Sequence, residues 1–151
     1  MAHYWIQTIT GCIGAVCFAV LFNVRGKRLG LIAIASALSW LGYVLCDAGG
    51  AGLFWAIFCG TTVAGMISEV LARVVKAPVL MLLVPILIPL FPGGTLYHMM
   101  SNLVRSNHDA FLRYARQLLE EAGAIALGII CCASVMGVFT GWQTHVRKRQ
   151  G

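Results

Sequence analysis

Long apolar runs separated by short polar turns set the pattern of this chain. A first run covers about 4–22 and holds no charged residue; the basic turn Asn23-Val24-Arg25-Gly26-Lys27-Arg28 follows. A second run, 29–46, ends at Asp47-Ala48-Gly49-Gly50. The third, 51–71, is apolar as far as Ser68, becomes amphipathic through Glu69-Val70-Leu71-Ala72-Arg73, and stops at Lys76-Ala77-Pro78. A helix boundary is expected there, because the residue before a proline is pushed out of the helical region. Each run is near the length of about 20 residues that crosses about 30 Å of hydrocarbon as a helix.

The fourth element, 78–105, breaks this regularity. Its first fifteen residues contain all four prolines of the chain, Pro78, Pro85, Pro89 and Pro92, and Gly93-Gly94 follows directly. An interior proline deletes a backbone donor and clashes with the preceding turn, so one uninterrupted helix is not expected. Thr95 is a candidate N-cap for a second half, and Leu96, Met100, Leu103 and Val104 then recur at helical spacing as far as Arg105. The pattern predicts one membrane element in two halves, broken near 92–94. Ser106-Asn107-His108-Asp109 is a polar turn with a second capping signal. From it the apolar positions Phe111, Ala115, Leu118, Leu119 and Ala122 lead in helical phase into a last span, the whole covering 110–142. The prediction is an all-α integral membrane protein of about five transmembrane helices, residues 1–151 forming a single transmembrane domain.

Composition agrees. With 60% hydrophobic and 11% charged residues in 151, there is too little charge to cover a water-soluble surface. The net charge of +6 does not point to nucleic acid, since the basic residues stand in short clusters between apolar runs, as membrane flanks do. Cys12, Cys17, Cys46, Cys59, Cys131 and Cys132 lie in or beside apolar runs, form no CxxC pair, and read as small packing residues. Ile9-Thr10-Gly11-Cys12 resembles a lipoprotein cleavage box, but no Lys or Arg precedes it and the apolar run continues to Phe22. The segment is therefore read as a retained first span. Tyr4, Trp5, Trp142 and the basic ends are expected to be interfacial anchors.

With five crossings, Arg25, Lys27, Arg28, Arg73, Lys76, Arg147, Lys148 and Arg149 share one side, eight basic residues against Arg105, Arg113 and Arg116 on the other. The positive-inside rule then places the N-terminus outside and the C-terminus in the cytoplasm.

Chemistry is expected at the break. In hydrocarbon, broken helices persist only where they face protein or a wet cavity, and transporters build sites from such discontinuous helices, the positive end of a half-helix aimed at an anionic group. Pro89, Pro92, Gly93, Gly94, Thr95, Tyr97 and His98 are the candidate substrate-binding residues, the glycines admitting close approach to the backbone. The alternative is that the prolines only kink a helix to fit its neighbours. Glu69 and Arg73 are candidates for proton or charge coupling, or an ordinary helix pair near the interface. His98 could carry a proton or bond a neighbouring carbonyl. No nucleophile–base motif, metal cluster or phosphate loop is present, and neither an enzyme nor a cofactor is expected. A lipid-directed enzyme would require His98, His108, Asp109 and Glu120 to cluster; a non-transporting scaffold is the other rival.

Taken together, Phe22-Asn23-Val24 with its basic turn, Ser68-Glu69-Val70-Leu71-Ala72-Arg73 with Lys76-Ala77-Pro78, and Val84-Pro85-Ile86-Leu87-Ile88-Pro89-Leu90-Phe91-Pro92-Gly93 with Tyr97 resemble the threonine/serine exporter (ThrE) family. More narrowly, the chain looks like the small subunit of the split form, equivalent to the C-terminal half of the fused exporter. Arg25 stands where relatives often carry proline. The resemblance implies export of small hydrophilic metabolites, threonine and serine or dicarboxylates such as succinate, driven by the membrane potential or protons. It implies a bacterial cytoplasmic (inner) membrane and a larger membrane subunit as partner. Two tandem five-span halves must face opposite ways, which agrees with the orientation given by the charges.

Overall fold

In a computed structural model of the chain, the backbone of residues 2–149 and the side-chain environments of 8–26 and 28–137 are described. Among the described residues every regular element is helical: α1 (Ala2–Leu21), α2 (Lys27–Ala48), α3 (Leu53–Val75), α4 (Val79–Leu87), a 3-10 turn (Ile88–Leu90), α5 (Gly93–Val104) and α6 (His108–Arg149). The all-helical expectation holds, and the five expected crossings are reached by counting α4 with α5 as one and by including α1, whose apolar part Thr8–Leu21 is shorter than a full span. Three helices are long and apolar enough to span alone, and α4 and α5 qualify as a pair bent by 61°. The anchors expected at Tyr4, Trp5 and Trp142 and the basic cluster Arg147, Lys148 and Arg149 lie outside the residues whose side chains are described.

Lipid tails are as apolar as leucine, so helix association relies on close packing and interhelical bonds. Small residues do that work here. Thr61 of α3 sits over Gly128 of α6, and Gly65 of α3 lies under Cys132. The two contacts share one offset, so α3 and α6 run parallel. Ala64, Ser68 and Ala72 of α3 and Ala124 of α6 extend the same buried stripe. Between α2 and α3 the Ser39 hydroxyl donates to the Gly60 carbonyl at 3.0 Å, and Gly42 faces Val63. At one end of the bundle Arg28 donates to the Val75 carbonyl at 3.3 Å, tying the α1–α2 turn to the end of α3. The left-handed residues Asn23, Lys76 and Ser106 end α1, α3 and α5. Of these, only Asn is a residue type that favours this conformation.

The core is centred on α4. Leu82, Leu83, Ile86 and Leu87 are buried together with Ala15 and Ala19 of α1, Ile32 and Ala35 of α2, and Ala64 of α3. Pro85 lies inside this short helix and is buried. Among the described residues only α6 packs against α5, in which no residue is buried. Thr95 meets Glu121 and His98 stacks on Tyr114, so α5 runs antiparallel along the first part of α6. At 1.5 Å per residue, the offset between α3 and α6 carries residues 108–119 about 18 Å beyond the start of α3. There they form a hairpin with α5. Asn107 caps α6 as expected, its side-chain oxygen accepting from the Ala110 N–H at 3.3 Å.

Candidate functional site

The break in the fourth element falls earlier than its glycines. Helix α4 ends at Leu87, the chain tightens into the 3-10 turn, and Phe91 is extended with φ −66° and ψ 133°. Two prolines explain the position. Pro89 and Pro92 cannot donate to the α4 carbonyls or continue its ladder. Gly93 and Gly94 are not the gap but the first two residues of α5, and the capping position is Pro92, without a side-chain cap. The expectation of Thr95 as N-cap is therefore corrected: it is the third residue of α5, and its hydroxyl is used elsewhere.

Leu90 packs on Gly60 of α3, seven residues into that helix, which sets the break about 10 Å from the start of α3. On one side of the 3-10 turn an open cleft of about 350 Å³ is lined by Thr10, Gly11, Gly14, Trp40, Ile88 and Pro89. Gly11 allows the close approach there, because a Cβ would stand 3.0 Å from the Pro89 Cβ and press on it. Trp40 stacks on Tyr43 at 4.8 Å, and its indole N–H is buried without a hydrogen-bond partner. Such a group is costly in an apolar medium and marks a place where polar company is missing.

On the other side of the break lies the first turn of α5. Gly93 N–H bonds back to the Phe91 carbonyl at 2.8 Å, and the first intrahelical bond runs from Leu96 N–H to Pro92 O at 3.0 Å. Gly94 and Thr95 N–H stand where a helix has no acceptor of its own and where its dipole favours an anion. Both glycines are exposed, and a Cβ on either would meet nothing within 4 Å. The Thr95 hydroxyl donates to Glu121 Oε1 at 3.0 Å, and Gln117 Nε2 donates to the same oxygen at 3.0 Å. Glu121 is 5% exposed, and its Oε2 has no hydrogen-bond partner.

The expected site residues therefore divide. Pro89 faces the cleft, and Pro92, Gly93, Gly94 and Thr95 form the start of α5. Tyr97 is 68% exposed. His98, also exposed, lies parallel to Tyr114 with ring centroids 5.3 Å apart, and its backbone carbonyl accepts from Asn102 at 2.7 Å. Glu69 and Arg73 are 3.8 Å apart, one turn apart on α3 and both partly exposed. They are not brought to the break, since Glu69 is nine residues beyond Gly60, or about 13 Å along the helix.

Sequence reasoning missed Trp40 and Glu121. Trp40 sits in the middle of an apolar run, where a helical stripe of Ser36, Ser39, Trp40 and Tyr43 was the available signal. Glu121 ends the charged stretch from Arg116 and reads as solvated. However, it keeps step with Gln117, Ala124 and Gly128 on the face that packs. No solved structure matches this chain. Residues 7–135 match the family model for the threonine/serine exporter, ThrE, and with most of its length covered the chain belongs to that family of membrane exporters.

Proposed function

We propose that this chain is one half of an exporter for small hydrophilic metabolites that carry a carboxylate, working with a larger membrane subunit equivalent to the N-terminal half of the fused exporter. Threonine and serine are the first candidates, and dicarboxylates such as succinate are the alternative for the same architecture. The observation that carries the reading is the break between α4 and α5. It opens a helix start on the flank of the bundle, next to the turn where Leu90 meets Gly60 of α3, with the N–H groups of Gly94 and Thr95 available to an anion. That a Cβ on either glycine would meet no described residue within 4 Å supports a site closed by the partner. The four-helix core of α1 to α4 serves as the fixed frame, and α5, packed among the described residues on α6 alone, is the element placed to move.

Orientation follows from the basic residues, eight of which share one side against three. The Arg28–Val75 bond, which joins two of the basic turns at one end of the bundle, supports the grouping. In this reading that end faces the cytoplasm of a bacterial inner membrane and the α5–α6 hairpin faces outward.

The test is Gly94→Leu in the reconstituted pair. An isobutyl group on the first turn of α5 blocks approach to the N–H groups without touching the packed core. The expected result is loss of export, with insertion and pairing intact. Export at the normal rate from fully inserted protein refutes the site.

A further inference from the structure

Glu121 forms no ion pair with any described residue, and burial of a carboxylate without a cationic partner is costly. Its two neutral donors, Thr95 and Gln117, both serve Oε1, so one oxygen carries two hydrogen bonds and the other none. A carboxylate offers about four lone-pair positions, and those of Oε2 are unused. The arrangement is lopsided, and the vacant oxygen lies beside the start of α5. Thr95 links the two features: its hydroxyl touches the carboxylate while its N–H belongs to the anion-attracting first turn. Positive and negative recognition are thus within one residue of each other.

We propose that Glu121 is the specificity-determining residue of the exporter, its free oxygen taking the ammonium group of an α-amino acid whose carboxylate lies on the first turn of α5. This rests on the reading of the break as the substrate site. A zwitterion presents opposite charges one carbon apart, which fits a buried acid adjoining a helix N-terminus. A dicarboxylate would instead bring a second anion against Glu121. In the present conformation Oε2 is closed off from solvent, so loading requires α5 to part from α6. The bend at Phe91–Pro92 and, among the described residues, the absence of any other helix against α5 permit that motion. The Thr95–Glu121 bond is then the latch that an arriving ammonium group replaces.

The experiment uses the complete pair in proteoliposomes, with labelled threonine as substrate. Unlabelled threonine competes against 3-hydroxybutyrate, which keeps the carboxylate and hydroxyl but lacks the amine. A charge-assisted bond to a buried carboxylate corresponds to a factor of about 10–100 in affinity. Wild type is expected to prefer threonine by about that factor, and Glu121→Gln to bring the two competitors within about threefold. Gly94→Leu is run beside it. If Gly94→Leu is inactive but Glu121→Gln keeps the full preference for threonine, the ammonium assignment falls and the break remains the substrate site. The assignment also falls if wild type takes 3-hydroxybutyrate as readily as threonine. If Gly94→Leu exports normally, the site itself is wrong and the assignment goes with it. Should Glu121→Gln fail to insert, Glu121→Asp carries the test. Its carboxylate, drawn back by one methylene, should keep the preference for threonine but with weaker affinity, and unchanged threonine affinity overturns the proposal.

Discussion

The contact between α3 and α6 makes a quantitative demand that a matched pair of glycines can test. A Cβ built on Gly128 would stand 2.8 Å from the Thr61 Cβ, 2.9 Å from its Cγ2 and 3.2 Å from the Phe58 carbonyl oxygen. Carbon atoms rest at about 3.5–4.0 Å, and the nearest of these atoms is fixed to the backbone, so no rotamer change relieves the overlap. The helices must separate, at a cost of about 1–3 kcal/mol for overpacking of this kind. Gly123, on the same helix, meets nothing within 4 Å, and there alanine should gain about 0.5–1 kcal/mol from helix propensity. Gly123→Ala and Gly128→Ala therefore differ in sign although the chemical change is identical. The assay is the thermal unfolding midpoint of the detergent-purified protein, where each kcal/mol moves a chain of this size by about 2–4 °C. Gly128→Ala is expected to fall by several degrees and Gly123→Ala to hold or rise. Adding Thr61→Gly to Gly128→Ala removes the two closest atoms and should recover part of the loss as a coupling energy of about 1 kcal/mol. Equal midpoints for the two alanine variants would refute the helix contact.

Other consequences follow from the site and its surroundings. Gly11→Ala should crowd Pro89 at 3.0 Å, whereas Gly14→Ala meets only Ile88 at 3.5 Å; export in proteoliposomes should fall in the first variant and persist in the second. Thr95→Val removes one of the two donors to Glu121 Oε1, and the loss of a hydrogen bond to a charged group should lower the unfolding midpoint by the equivalent of about 1.5–3 kcal/mol. The Glu69–Arg73 pair is partly exposed and 3.8 Å apart, so its coupling energy in a double-mutant cycle of Glu69→Gln and Arg73→Ala should be no more than about 1 kcal/mol; a larger coupling would show more than a surface pair. For topology, alkaline phosphatase fused after Gly50 should be active and a fluorescent protein fused to the C-terminus should glow, which the opposite orientation would reverse.

The apolar runs alone determined that the chain is helical and lies in a bilayer, because in hydrocarbon a backbone must satisfy its own hydrogen bonds and helices do so within each segment. The break of the fourth element was equally legible, since Pro89 and Pro92 lack the donors a continuous ladder needs. Even Asn107 could be read as a cap, its hydrogen bond being local. The depth of the break was not legible: it depends on Leu90 meeting Gly60, and no residue in sequence announces which helix it will face. Thr95 fitted a cap by residue type, but the tertiary structure turned its hydroxyl to Glu121, twenty-six residues away. Glu121 itself looked solvated among Arg116, Gln117 and Glu120, but α5, running antiparallel along this part of α6, brings Thr95 onto it, and in the folded chain it is buried. Local hydrogen-bond chemistry is written along the chain, whereas burial is a property of neighbours brought from elsewhere, and that is what the fold alone decided.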